Sequence, residues 1–325
     1  MSGLRRFLRS AAYRSGVLSI ARSRNRHALT VIMLHRVLDP ADPDFAHADP
    51  TFTLSVPIFE QLLGFIQRHY AVIGLRDVMR ACDGTGTLPD HALLITFDDG
   101  WADNLRHAAP LLRDRGLPAV VFAVPDAILS PGDSWWQEDM FAAVRAGVLH
   151  PATDDGDTLP SLNLLARVAQ LDAPKRAEFL ATLPGRPCHA RMMLTPDELP
   201  QLADYGIDVG LHGYTHVPLT LLPDVATELT RAGRAVAALS AGTATTTALG
   251  CPHGLYNDTV IAGAHAAGVK LIFTSDPHLN RTQAGGLTPA RPIGRINVVG
   301  RQIEAAPHRL DPSAAARWLW ARDCR

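Results

Sequence analysis

The chain has 325 residues, 47% hydrophobic and 19% charged, a balance too apolar for a disordered protein and too evenly spread for a fibrous one. At about 150 residues per domain there is room for two domains or one large α/β domain. A formal net charge of −1 argues against a surface built throughout to wrap nucleic acid, so no nucleic-acid partner is expected.

Residues 1–28 differ in character from the rest of the chain. Arg5, Arg6, Arg9, Arg14, Arg22, Arg24 and Arg26 interleave with Leu4, Phe7, Leu8, Tyr13, Val17, Leu18 and Ile20, and no acidic residue precedes Asp39. The pattern is that of a basic amphipathic helix, and two readings of it stand. Such a helix can rest on an anionic membrane as a peripheral anchor, or pack on the domain with its arginines solvated. The stretch lacks the continuous apolar core and cleavage site of an export signal, and no run of the chain reaches the ~20 apolar residues of a membrane-spanning helix. The four cysteines (Cys82, Cys188, Cys251 and Cys324) lie far apart with no C-x-x-C pair. Neither a zinc ribbon nor a disulfide framework is expected, and a cytoplasmic protein with reduced thiols, membrane-associated on the first reading, is the simplest account.

From Leu29 onward, short apolar runs alternate with amphipathic stretches, which predicts βα units and a largely parallel sheet. Strands are expected near ALTVIMLH (28–35), AVIGL (71–75), ALLITF (92–97), PAVVFAV (118–124), IDVGLH (207–212), TTALG (246–250), LIFTS (271–275) and RINVV (295–299). Ser55 is placed to cap a helix, and Gly116 and Gly242 to end helices. About eight strands in roughly 270 residues fit an α/β fold, a distorted (β/α)7-8 barrel over residues 29–300, better than two domains. Residues 130–200 break the rhythm and read as a helical insertion, and 301–325 as a C-terminal tail. Trp135 and Trp136 in the insertion are either an aromatic wall for a sugar ring or a plug against the barrel.

Asp98 and Asp99 directly follow the apolar run ALLITF, at the face where barrel enzymes carry their chemistry. Asp154 and Asp155, also followed by glycine, have no strand before them and read as a solvated loop. Adjacent carboxylates at a strand end repel unless a cation lies beside them, so the first pair points to a metal or a shared proton. His212 and His216 form an H-x-x-x-H pair. With 14 histidines roughly 0.6 such pairs arise by chance, so the spacing alone is weak. Both follow another strand, however, and two imidazoles with one carboxylate make a three-ligand site with open positions, as in catalytic zinc. His35 also stands at a strand exit, where a protonated imidazole suits a general acid. In GCPHGLYND, the backbone N–H groups around Pro252, His253 and Gly254 could serve as oxyanion donors, or the segment is an ordinary turn with Asn257 as a helix cap. Cys251 and His253 would overfill a site that already has three ligands. Trp101 lies close enough to the Asp pair to meet a substrate.

With ITFDDGWADN, HGYTH and CPHG in this order, the sequence resembles the polysaccharide deacetylases, carbohydrate esterase family 4 with the NodB-type domain, over most of Thr30 to about Val299. The resemblance implies Asp98 as base, Asp99, His212 and His216 as ligands of a divalent metal (zinc first; cobalt, nickel or manganese as alternatives), and Gly213 where the family has Ser or Thr. The usual C-terminal L-x-H element is missing. VIMLHRV resembles the same element as placed in circularly permuted members, which makes His35 the general acid. Gly250 stands where an arginine is often found, and Arg295 is set in its place as the partner of Asp98. The implied reaction is hydrolysis of an N-acetyl group on an amino sugar of a polysaccharide, glycolipid or sugar precursor, with the His253 N–H helping to hold the oxyanion. Alternatives are a deformylase or cyclic-amide hydrolase on the same barrel, or a catalytically degenerate carbohydrate-binding protein.

Overall fold

The computed structural model describes residues 2–129, 135–149, 164, 167–168, 171, 173–183, 191–282, 286–287 and 291–325. Asp154, Asp155 and Cys188 lie outside these residues. Eight parallel strands form one sheet: β1 (Thr30–Leu34), β2 (Ala71–Val72), β3 (Ala92–Asp99), β4 (Ala119–Ala123), β5 (Ile207–Leu211), β6 (Ala248–Gly250), β7 (Leu271–Phe273) and β8 (Ile296–Asn297). Their order is β8-β1-β3-β4-β5-β6-β7, with β2 paired to β3 off this path. β2 and β4 share one edge of β3, the first pairing with Ala92 and Leu93, the second with Thr96 to Asp99. The sheet curls until β7 meets the segment before β8. Thr274 N–H donates to Ile293 O at 2.9 Å and Ile293 N–H to Ile272 O at 2.7 Å, a narrow seam that makes the expected barrel a distorted one.

Alternation along β3 sorts the core. Leu93, Ile95 and Phe97 pack outward under the helices, whereas Leu94 joins Val120, Phe122, Leu271 and Phe273 in the barrel interior. The ring of Phe122 fills that interior so closely that a Cβ at Gly210 would lie 2.7 Å from it and one at Gly250 2.8 Å away.

Several boundaries differ from expectation. The run AVIGL contributes only two strand residues, because Gly74 caps a helix that starts at Leu75. β3 runs through Asp98 and Asp99 instead of ending before them. In residues 301–325, short strands Glu304–Ala306 and Arg309–Leu310 pair, and a helix Pro312–Trp320 comes next, with Leu319 and Trp320 buried in the main core. The N-terminal segment is two helices, α1 (Ser2–Arg14) and α2 (Val17–Arg24), separated at Gly16, whose φ of 80° favours glycine. Within the insertion, α3 (Trp136–Arg145) and α4 (Ala173–Ala181) are helical as expected. Cys82, Cys251 and Cys324 are free thiols.

The contact around Phe122 gives a test. Gly210→Ala should destabilise the fold by about 1–3 kcal/mol through overpacking, seen as a lower urea midpoint, and Phe122→Leu should recover part of that loss in the double variant.

Candidate active site

Two strand ends and one strand exit converge on the barrel mouth. In β3, Asp98 follows Leu94 and Thr96 on the inward face. Alternation would send Asp99 outward with Phe97, but its φ of 79° breaks the pleat, and Gly100 continues the turn at φ 88°. His212 follows β5 directly. The loop to His216 turns at Gly213 (φ 69°), and His216 itself sits at φ 60°, a region costly for non-glycine residues and found where a fold over-determines a site. The loop is tied down by Glu228, whose Oε1 accepts the Tyr214 N–H at 3.0 Å, the Thr215 N–H at 3.1 Å and the Thr215 hydroxyl at 3.0 Å. His35 follows β1, and its carbonyl accepts from Asn104 Nδ2 at 2.7 Å. Asp103 holds the next residues, accepting the Val37 N–H and the Arg36 guanidinium, each at 2.9 Å.

Asp99, His212 and His216 are all buried, and one ligand atom of each lies within 4.8 Å of the others. Asp99 Oδ1 is 3.4 Å from His212 Nε2 and 3.3 Å from His216 Nε2. The outer nitrogens settle the tautomers. His212 Nδ1 is 2.7 Å from the Gly250 carbonyl, which can only accept. His216 Nδ1 is 2.6 Å from Gln137 Oε1, while the Gln137 amide nitrogen donates to the Thr215 and His216 carbonyls. Both Nδ1 atoms therefore carry a proton, and both Nε2 atoms are turned to Asp99.

Asp99 Oδ2 accepts the Trp101 indole N–H at 2.9 Å, but Oδ1 is buried without a hydrogen-bond partner among the described residues. A buried carboxylate oxygen facing two imidazole Nε2 atoms fits a divalent ion of the zinc type. Burial, with His253, His212 and His35 nearby, holds His216 well below the ordinary imidazole value. For His212, burial lowers the pKa, but Asp98 and Asp99 raise it further and the net shift is upward.

Asp98 has its counter-charge built in. Burial alone would raise its pKa, but Arg295 together with His212 and His35 outweighs that, and the carboxyl is held below its usual range. The guanidinium grips it with two bonds, Nη1 to Oδ1 at 2.6 Å and Nη2 to Oδ2 at 2.8 Å, a fork that orients as well as neutralises. Arg295 is fully buried and also bonds Thr274 O at 2.9 Å and Thr96 Oγ1 at 3.2 Å. His35 Nε2 lies 4.0 Å from Asp98 Oδ2, its pKa lowered by burial against the pull of both aspartates.

The turn at Pro252–Gly254 stands at the mouth with His253 at φ 56°. The His253 ring lies 4.4 Å from that of His216, its Nε2 3.1 Å from the His216 carbonyl, and burial pushes it down to about 4. Gly254 is required: a Cβ would fall 1.7 Å from Ser275 Oγ. Asn257 caps the next helix through Val260 N–H. Trp101 is 2% exposed, bonded beneath Asp99 and covered by the Arg36 guanidinium at 4.5 Å. Trp135 and Trp136 are buried in a cluster with Trp101, Met140 and Met193, so of the two readings they are the plug, and Trp135 sits 5.1 Å from the His216 ring.

Sequence reasoning passed over Gln137, Glu228, Asp103 and Asn104. The last two had a signal, as polar residues immediately behind the DDG turn. Glu228 is one acid on an amphipathic helix, Val225–Leu239, and Gln137 lies in the insertion, so neither announced itself.

The family model described as polysaccharide deacetylase matches residues 85–272. No curated protein matches the sequence. Among solved structures, the chain is similar to the Streptococcus pyogenes deacetylase PplD, determined in complex with acetate, at 16% identity over 90% of this chain and 98% of that one (TM-score 0.58). It is similar to IcaB from Ammonifex degensii at 19% identity over 90% and 97% (TM-score 0.56). A de-N-acetylase from Aggregatibacter actinomycetemcomitans aligns at 16% identity over 82% and 95% (TM-score 0.53). At these identities the structures share the fold.

Two substitutions test the geometry. Gln137→Ala should weaken zinc affinity by about 10–100-fold by freeing the His216 ring, measured by competition with a chromogenic chelator. Arg295→Met should destabilise the protein by about 3–5 kcal/mol, since it strands a buried carboxylate. With the cation gone, burial raises the Asp98 pKa, so its ionised form persists only at higher pH, and the acid limb of the pH–rate profile should move upward.

Proposed function

Because the chain belongs to the polysaccharide deacetylase family, we propose that it removes N-acetyl groups by hydrolysis from an amino sugar in a polysaccharide, glycolipid or sugar precursor. The catalytic unit in this reading is residues 29–300. One observation carries it: the buried Asp99 Oδ1, without a hydrogen-bond partner among the described residues, lies between two imidazole Nε2 atoms, beside a second carboxylate that is already paired. Asp99, His212 and His216 would hold the divalent ion, zinc by its donor set. When bound, such an ion supplies Lewis-acid polarisation of an amide oxygen and of a water.

The remaining steps belong to the chain. Asp98, kept ionised and aimed by Arg295, takes the proton of the attacking water. Its adjacency to Asp99 places that water beside the amide, while the fork from Arg295 keeps the carboxylate from turning to the histidines. His35, across the mouth, delivers a proton to the departing nitrogen. An imidazole whose pKa is lowered by burial is the stronger acid once protonated, which suits an amine leaving group. The His253 N–H, on a turn fixed by Pro252 and Gly254, is the donor we assign to the developing oxyanion. Products are acetate and a free amino sugar.

The test is acetate release from a panel of N-acetylated amino sugars. Wild type should release acetate, chelation should abolish the release and zinc should restore it. Asp98→Asn and His35→Ala should each lose about 10²–10⁴-fold in kcat while retaining metal. Release of formate instead, or ring opening of a cyclic amide, would replace the acyl assignment. Metal retention with no turnover would replace it with a binding role.

A further inference from the structure

α1 and α2 present two faces, and only one of them is used. On the inner face, Arg9 pairs with Asp311 at 2.7 Å and bonds Ser313 Oγ at 3.2 Å. Tyr13 lies 6.1 Å from the Trp320 ring, and Arg22 donates to the His69 carbonyl at 2.8 Å. Tyr13 and Leu18 pack against the main core. The helices are thus bolted to the body through the C-terminal helix.

The outer face is apolar and open. Phe7 is 65% exposed, Leu8 57%, Val17 55% and Ile20 61%. Four of the seven large hydrophobic side chains exposed among the described residues therefore fall within fourteen positions of this segment. Their spacing makes two continuous stripes: Phe7, Leu8 and Ala11 on α1, and Val17 and Ile20 on α2, where Arg24 follows at i, i+3, i+7. Arg14 and Arg24 are exposed beside these stripes, and the segment contains Arg5 and Arg6 with no acidic residue before Asp39. Apolar side chains bordered by cations alone complement a surface that is apolar below a layer of negative charge.

We propose that the outer face of α1 and α2 docks on an anionic lipid bilayer, with Phe7, Leu8, Val17 and Ile20 entering the acyl boundary and the exposed arginines meeting the headgroups. A second copy of the chain would bring arginines against arginines on this face, and a neutral membrane would leave them unanswered. Because the inner face is fixed by Arg9, Tyr13 and Arg22, docking holds the barrel at a set orientation to the membrane. The surface stands independently of the reaction at the barrel mouth.

The experiment is co-sedimentation of the full chain with vesicles of phosphatidylcholine alone or with 40% phosphatidylglycerol, about the anionic fraction that gives a strong surface potential. It compares wild type with Phe7→Ser/Ile20→Ser and with Arg14→Glu/Arg24→Glu. All four side chains are exposed, so folding and turnover of a soluble N-acetylated sugar should be unchanged in both variants. Wild type should bind the anionic vesicles, release in high salt, and bind neutral vesicles at least tenfold more weakly. Each double variant should lose at least tenfold in partitioning, and Phe7→Trp should shift its emission to the blue on anionic vesicles only. Equal sedimentation of wild type and both variants would overturn the proposal. So would wild-type dimerisation that Phe7→Ser/Ile20→Ser abolishes, since it would show a second copy on this face.

Discussion

Two neighbouring carboxylates buried at one strand end are the constraint from which the site is built. A charge taken out of water is tolerated only when it is paired or when a metal answers it, and β3 presents two such charges side by side. The chain answers them differently. Asp98 receives a complete counter-charge from Arg295, in a fork with no solvent around it. Asp99 receives one indole N–H and two imidazoles whose Nε2 atoms are turned to it. In the proposed mechanism that asymmetry divides the labour: one carboxylate is the ionised base, the other holds an ion from outside. The strain at Asp99 and His216, and the three bonds that Glu228 makes to the loop between the histidines, hold a geometry that the pleat and an unrestrained loop would not keep.

The packing around Gly250 leaves no room for a side chain. Even a Cβ at that position would press on the Phe122 ring and come within 3.2 Å of His212 Nδ1. The cation that pairs with Asp98 comes from Arg295, beside β8, through the interior. His35 likewise enters from the first strand of the barrel, and its position depends on Asp103 and Asn104 behind the DDG turn, which clamp residues 35–37. Arg295 and the segment that carries His35 are thus each fastened to the β3 exit.

Much of this was legible because strands of a parallel barrel are buried on both faces and therefore written as apolar runs. The run before Asp98 placed the carboxylates at the mouth, and the run before His212 rescued a histidine spacing that chance alone could produce. Legibility failed where one run served two elements, as in AVIGL, whose Gly74 starts a helix. It failed again where burial came from tertiary packing. The alanine-rich segment around Trp318 and Trp320 has no strong period of its own, yet it fills the groove under α1 and α2 and bonds Asn297 O through Trp318. Gln137 was hidden for a further reason: an amide orients a ligand by contact across 79 positions, and no local spacing encodes that. Trp101 shows a further limit. Its place beside the Asp pair was readable, but an indole N–H bonded inward looks the same in sequence as an indole face turned outward.

In the proposed mechanism Asp99, and not Asp98, is the carboxylate that requires an external cation. A calorimetric titration with zinc, run on wild type, Asp99→Asn and Asp98→Asn, tests this directly, because asparagine keeps the shape and removes the charge. One tight site is expected in wild type and in Asp98→Asn, and its loss in Asp99→Asn. No zinc site in wild type, or equal loss in both variants, would contradict it.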